Sequence, residues 1–351
     1  MRASRLRATR NALRLVPVIA CVGLASALIT LAAEKADVGN LVPQDVAVTP
    51  HPINFSSKQP DQRQFGKLTF LSEVVLTSAS DYFGGYSGLV LDAKGERFLT
   101  ISDSGSWLTG RLDYSDGKVA AVRDARIGAI PQKDGQPLKR IDRDAEALVS
   151  LAPGALEGHY LIGFEQRHRI DEYAYENGEL RGPVDERALP EQLKGMKPNL
   201  GIEGVAILRG GPFAGGMVAF AEEKLTADGN HTGALVVDGK SQPLFLKRHE
   251  DYDITDVQSL EDGSLVVLER SFNEETRRLG IRLRRIPAAE VKPGAVLAGE
   301  TLLDAGPEFE IDNFEGLAVH KSAAGKTILT LISDDNFSAS QRTLLLQFKL
   351  Q

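Results

Sequence analysis

From residue 66 to the C terminus, apolar residues fall into short runs divided by turn-forming Gly, Asp and Asn, and no segment holds a helical period beyond about two turns. Five short segments share one shape: an acidic or hydroxyl residue, a small residue or close equivalent, then apolar residues. They begin at Ser87, Glu146, Glu203, Asp256 and Glu315, at spacings of 59, 57, 53 and 59 residues. Each is followed by a Gly-containing turn, such as Asp92–Gly95 or Glu261–Gly263, and then by an unbroken apolar run with a polar end. These second runs are 97–103, 159–165, 217–222, 264–269 and 327–334. A turn between two β-rich runs reads as a hairpin, and the unbroken second run as a strand covered on both faces.

Later strands in each unit alternate more clearly, as in Ile170, Tyr173 and Tyr175 or Ile281 and Leu283, which places them nearer solvent. Four strands repeating about every 57 residues describe a blade of a β-propeller. The fold class is therefore all-β, with five blades and a sixth allowed for in the long 270–310 interval. The ends predict closure. Leu344, Leu346, Phe348 and Leu350 alternate as a third strand with nothing after them. Leu68, Phe70, Val74 and Leu76 form a strand without a hairpin partner. An N-terminal strand joining the C-terminal blade would remove both edges. One short helical candidate in this region is the stretch 190–195.

The first 33 residues follow a different pattern. Arg2, Arg5, Arg7, Arg10 and Arg14 precede an apolar run from Leu15 to Ala33, with no acidic residue before Glu34. Ala25-Ser26-Ala27 supplies an A-x-A cleavage signal, Leu15–Ala33 is just long enough to remain as an inner-membrane anchor, and Val18–Cys21 resembles a lipobox. The segment predicts export, to the periplasm or outside the cell. Residues 34–66 mix Pro, Gln, Asp and Ser without a periodic face and read as a disordered tether, leaving 67–351 as one propeller domain.

The sequence carries 41 basic and 48 acidic residues, a formal charge of −7, and removal of the first 33 residues takes it to −12. That balance argues against a nucleic-acid partner and limits membrane association to the N-terminal segment. The single cysteine, Cys21, excludes an internal disulfide. The chain is expected to act as a monomer on an anionic small molecule or another envelope ligand.

In a propeller the first strands line the channel, so Ser87, Glu146, Glu203, Asp256 and Glu315 are expected to converge. Carboxylates brought together repel and raise one another's pKa unless a cation neutralises them. An all-oxygen donor set suits calcium. The candidate ligands are Glu146, Glu203, Asp256 and Glu315, with Asp103 and Asp334 from the ends of second strands. The first four double as candidates for activating water. The alternative is that these carboxylates cap backbone amides of adjacent blades. At the rim, Arg167, Lys224 and Arg270 follow Glu165, Glu222 and Glu269. They either hold an anion or bridge blades. His168 is a candidate general acid or base, and Trp107 and Tyr86 either stack on a ligand or pack between blades. No nucleophile elbow or zinc-type histidine spacing is present.

The strings Gly85–Leu89, Phe98–Gly105, Asp144–Leu148, Ile202–Val205, Leu265–Arg270, Asp312–Gly316 and Ser333–Asn336 resemble the bacterial phytase-like family described as "esterase-like activity of phytase". The resemblance spans about residues 66–351. It implies an exported, usually periplasmic propeller that hydrolyses phosphoesters or esters. It assigns no catalytic residue position by position. The two functions expected are thus a metal-assisted hydrolase acting at the channel mouth and a non-catalytic binding or scaffold propeller of the envelope.

Overall fold

A computed structural model describes residues 37–152, 154–198 and 200–351. The export signal and Cys21 lie outside the described residues. Five sheets, antiparallel but for one short edge strand, make the five blades of a propeller. Their innermost strands are Tyr86–Leu91, Ala145–Ser150, Ile202–Ile207, Asp253–Ser259 and Asn313–Lys321, for blades 1 to 5 in that order.

Burial falls from the axis outward, as the loss of continuous apolar runs predicts. In blade 2, Ala145–Ser150 is buried throughout, whereas the fourth strand, Glu179–Arg187, is mostly exposed. Tight turns join the strands. Gly95, at φ +70°, closes the first hairpin by donating its N–H to Asp92 O at 2.9 Å, while Asp92 Oδ1 accepts from Glu96 N. A side chain there would strain the left-handed turn. Trp107 is wholly buried between blades 1 and 2, with its indole donating to Ala129 O at 3.1 Å, so it packs and does not face a ligand. Tyr86 is equally buried.

Closure follows the expected route. Leu344–Leu350 pairs with Thr327–Asp334 on one side and with the N-terminal Leu68–Thr77 on the other. The 270–310 interval holds no sixth blade among the described residues. After Arg278–Ile286 the chain crosses to blade 3, where Val296–Leu297 adds a parallel edge. It then returns as Glu300–Ala305 to complete blade 4. The helical candidate is a single 3-10 turn, Glu191–Leu193. No helix among the described residues is long and apolar enough to cross a membrane.

The tether expected at 34–66 is corrected over its described part. Gln44–Asp45 pairs with the outer strand of blade 1, and Thr49–Ile53 and Gln64–Phe65 both pair with Leu68–Thr77. Val38, Leu41, Val48, Phe55 and Phe65 are buried. They are irregularly spaced along the chain and divide between two clusters, Phe55 with Phe65 and Val38 with Leu41 and Val48, so no periodic face exists to be read. Phe55 stacks on Phe309 at 4.8 Å and meets Phe348 edge-on at 5.2 Å, tying the segment to the closing blade. Pro50 and Pro52 alternate along Thr49–Ile53, a strand at the sheet edge where missing N–H donors leave no ladder bond unmade.

Candidate active site at the acidic mouth

Every first strand carries one extra residue near its start. In blades 1, 2, 3 and 5 the register with the second strand skips Ser87, Glu146, Glu203 and Glu315. A bulge of this kind re-aims the unpaired side chain, and repetition around the axis turns it into a ring.

Blade 4 breaks the sequence expectation, because the skipped residue there is Thr255 and Asp256 pairs normally with Leu268. The two hydroxyl members behave alike. Ser87 Oγ donates to Ala145 O of blade 2, and Thr255 Oγ1 donates to Phe314 O of blade 5 at 3.2 Å. Asp256 is thereby corrected from ring ligand to inter-blade cap. Its buried carboxylate accepts from Val257 N at 2.6 Å and from Leu317 N of blade 5 at 2.7 Å.

A second ring comes from the ends of the second strands. The amides of Asp103, Glu165 and Glu222 donate to the carbonyls of Gly85, Asp144 and Gly201 at 3.0, 3.0 and 2.9 Å. Asp334 and Arg270 occupy the same position, paired with Asn313 and Asp253. Blade 4 again departs, since its member is Arg270 and not Glu269. Glu269 lies one residue deeper, where Arg284 donates to both its oxygens at 2.5 and 2.6 Å. Arg284 also donates to Ala298 O and Lys247 O, so this buried pair is satisfied and closed to a ligand.

The rings therefore set Glu146, Glu203, Glu315, Asp103, Glu165, Glu222 and Asp334 against one arginine. Burial pushes the Glu146, Glu203 and Asp334 carboxyls well above the ordinary range, and repulsion from neighbouring ring carboxylates adds to it. Burial likewise raises Glu222 to about 8 and Glu315 to about 7, while Arg270 pulls both back. The Arg270 guanidinium stays firmly charged. Burial works against it, but Glu315, Glu222, Glu203 and Asp334 outweigh that cost.

Two overlapping trios place their ligand oxygens within 4.8 Å of one another: Asp144, Glu146 and Glu165, and Glu165, Glu203 and Glu222. Either could hold a metal ion. Asp144 adopts φ +65°, beside φ +69° at the equivalent Gly85 of blade 1. A non-glycine residue there costs of order 1 kcal/mol, and Asp is among the residues that tolerate it best. Asp144, Glu165 and Glu222 were not among the sequence-derived ligands. The Asp-x-Glu spacing of Asp144 and Glu146, with Asp144 two residues before the bulge, is the signal that could have found the first.

The remaining sequence candidates sit at the edge. Arg167 is exposed and donates to Asp142 Oδ1 at 2.5 Å. Lys224 donates to the carbonyls of Gln192 and Lys194, fastening the 3-10 turn. Neither converges with Arg270. His168 packs over Gly201, with Nε2 3.0 Å from Lys197 O and Nδ1 buried without a partner among the described residues. An imidazole nitrogen facing a carbonyl carries the proton, so Nδ1 is its basic atom.

No curated protein matches the sequence. Among solved structures, the chain is similar to an endo-arabinase from Bacteroides thetaiotaomicron VPI-5482. The TM-score is 0.45 at 13% identity, covering 76% of this chain and 94% of that one. Residues 81–337 match the family "Phytase-like: Esterase-like activity of phytase". That span contains both acidic rings and all but the closing strands of the propeller, and the chain belongs to the phytase-like family.

Proposed function

We propose that this propeller is an exported, calcium-assisted hydrolase of phosphoesters or esters, working at the acidic mouth. The observation that carries the reading is the pair of carboxylate trios sharing Glu165, beside the half-buried Arg270 guanidinium. The donor set is entirely oxygen, and burial together with repulsion between carboxylates raises Glu146, Glu203 and Glu222, which fits a hard divalent cation. Asp144, Glu146, Glu165, Glu203 and Glu222 would hold it. Bound calcium would polarise the ester or phosphoryl oxygen under attack.

The chain's own groups supply the rest. Arg270 presents a forked donor to an anionic substrate and is the one cation in the two rings. Glu315, at about 7, changes protonation at neutral pH and is suited to take the proton of an attacking water. The basic and then apolar N terminus supports export to the periplasm, where calcium is accessible.

The test is turnover of p-nitrophenyl phosphate and p-nitrophenyl acetate, with EGTA and with calcium restored. Activity that disappears in EGTA and returns with calcium supports the reading. Calcium binding without turnover on either substrate would instead make the propeller a binding platform.

A further inference from the structure

At the end of the channel away from the acidic rings, all five blades surround a cavity of about 300 Å³. Ser150 and Glu146, at opposite ends of one short strand, mark the two mouths, roughly 13 Å apart at the rise of a β-strand. The walls are mixed, with Leu89, Leu91, Leu260, Ala318 and Val319 as the aliphatic part beside polar side chains. Arg209 enters from blade 3. Its side chain donates through Nη2 to Ser150 O at 2.8 Å and makes no ion pair among the described residues.

Other charges on the lining are accounted for. Glu261, its one acid, lies 3.3 Å from Lys321, and Lys321 also donates to Thr327 Oγ1 at 2.9 Å. Burial lowers His320 to about 4, so it is neutral at physiological pH. One positive charge is left without a counter-ion. Arg209 is half-buried, and most of its side-chain donors have no partner among the described residues, so an anion entering the cavity meets an unpaired positive charge. Burial alone moves its pKa, downward from the usual arginine value, and no carboxylate opposes the shift.

We propose that this cavity is a second ligand site, taking a small monocarboxylate whose apolar body packs on the aliphatic part of the walls while its carboxylate pairs with Arg209. One uncompensated charge fits a monoanion, and a dianionic phosphate monoester would leave a charge unmatched in the same walls. A volume near 300 Å³ is at the lower end for small-molecule pockets. The inference is independent of the function proposed for the other mouth.

The experiment is calorimetric titration of the full chain with hexanoate and benzoate, with hexanamide and inorganic phosphate as comparisons. Saturable carboxylate binding is expected, weakened about tenfold or more in hexanamide and in Arg209→Gln, where the charge-assisted bonds are lost. Binding is also expected to survive EGTA and Glu203→Gln, because those changes act at the other mouth. Equal hexanoate affinity in Arg209→Gln overturns the proposal. So does absence of carboxylate binding, which would leave Arg209 as a tie between blades. Phosphate binding as tightly as hexanoate overturns the monocarboxylate assignment. Should Arg209→Gln fail to fold, Val319→Phe narrows the cavity with Arg209 in place. Unchanged hexanoate affinity in that variant sinks the site.

Discussion

The Arg270 guanidinium of blade 4 lies 3.7 Å from the Glu222 carboxylate of blade 3, and it is the one positive member of two otherwise acidic or hydroxyl rings. The pairing is too long for a strong hydrogen bond, so its effect is mainly coulombic and spreads to Glu203, Glu315 and Asp334. Arg270→Gln should therefore act through its neighbours as well as on substrate. Arg270 is what lowers Glu315 and Glu222 against burial, so both carboxyls should rise in the variant. The acidic limb of the pH–rate profile then moves to higher pH. Turnover of an anionic phosphoester should fall roughly 100-fold, and that of a neutral ester less. An unshifted profile with equal loss on both substrates would argue against the role given to Arg270.

Calcium dependence of stability follows from the same ring. Glu146 and Glu203 have carboxyls raised above their unfolded values, so the folded protein holds protons that the unfolded chain releases. Stability in EGTA should fall as pH rises above about 4.5, the unfolded glutamate range. A cation that displaces those protons should restore more stability at pH 8 than at pH 5. Melting curves across pH, with EGTA and with calcium, read this directly. Glu203→Gln should keep or raise Tm in EGTA while shrinking the calcium increment. A large drop in Tm without metal would instead show that Glu203 is needed to build the blade.

Asp256 and Glu203, alike in the sequence repeat, should separate under mutation. Asp256→Ala removes acceptors from two buried amides, Val257 N and Leu317 N, and loosens the seam between blades 4 and 5. A loss of about 2–3 kcal/mol is expected from the orphaned donors, with calcium affinity unchanged. Thr255→Ala, losing one hydroxyl bond to Phe314 O, should cost about 1 kcal/mol. Chemical denaturation gives both values, and a calcium titration of folded Asp256→Ala would expose any error in removing it from the ring.

The blades were legible because interior strands need continuous apolar runs and tight turns need Gly and Asp, and both recur at nearly constant spacing. Closure by Leu68–Thr77 was legible because two partnerless strands were left over. What escaped was phase. An acid followed by apolar residues occurs at Asp256 as at Glu203, and acids end the apolar runs at Glu269 as at Glu165 and Glu222. The bulge that decides which residue faces the axis depends on pairing, which residue types alone do not reveal. In blade 4 both resemblances were off by one residue, and the structure puts Thr255 and Arg270 in their place. Glu165 becomes a neighbour of Glu203 and Glu222 only across a blade boundary, so no linear spacing shows the second trio. The N-terminal strands were hidden because Val48, Phe55 and Phe65 fall at irregular intervals, with no period of two or of 3.6 to mark an element.

A final prediction concerns Glu73, which lies in the closing strand opposite Leu346 and far in sequence from the ring. Both its oxygens are buried without a hydrogen-bond partner, and burial raises its pKa to about 9, with Arg342 pulling down and Glu310 pushing up. The folded protein thus keeps this carboxyl neutral while the unfolded chain ionises near 4.5. Between those values the unfolded state binds fewer protons, so stability declines as pH rises and levels off above about 9. At pH 7 the accumulated penalty is of order 3 kcal/mol. Glu73→Leu replaces the lone carboxyl with an apolar group of similar length, next to Phe70 and Val74 in the closing blade. It should raise stability at pH 7 and reduce its slope between pH 5 and 9. Saturating calcium in both samples suppresses the contribution of the mouth, so the difference between the two curves reports Glu73 alone. Parallel curves would mean that Glu73 finds a partner in solution.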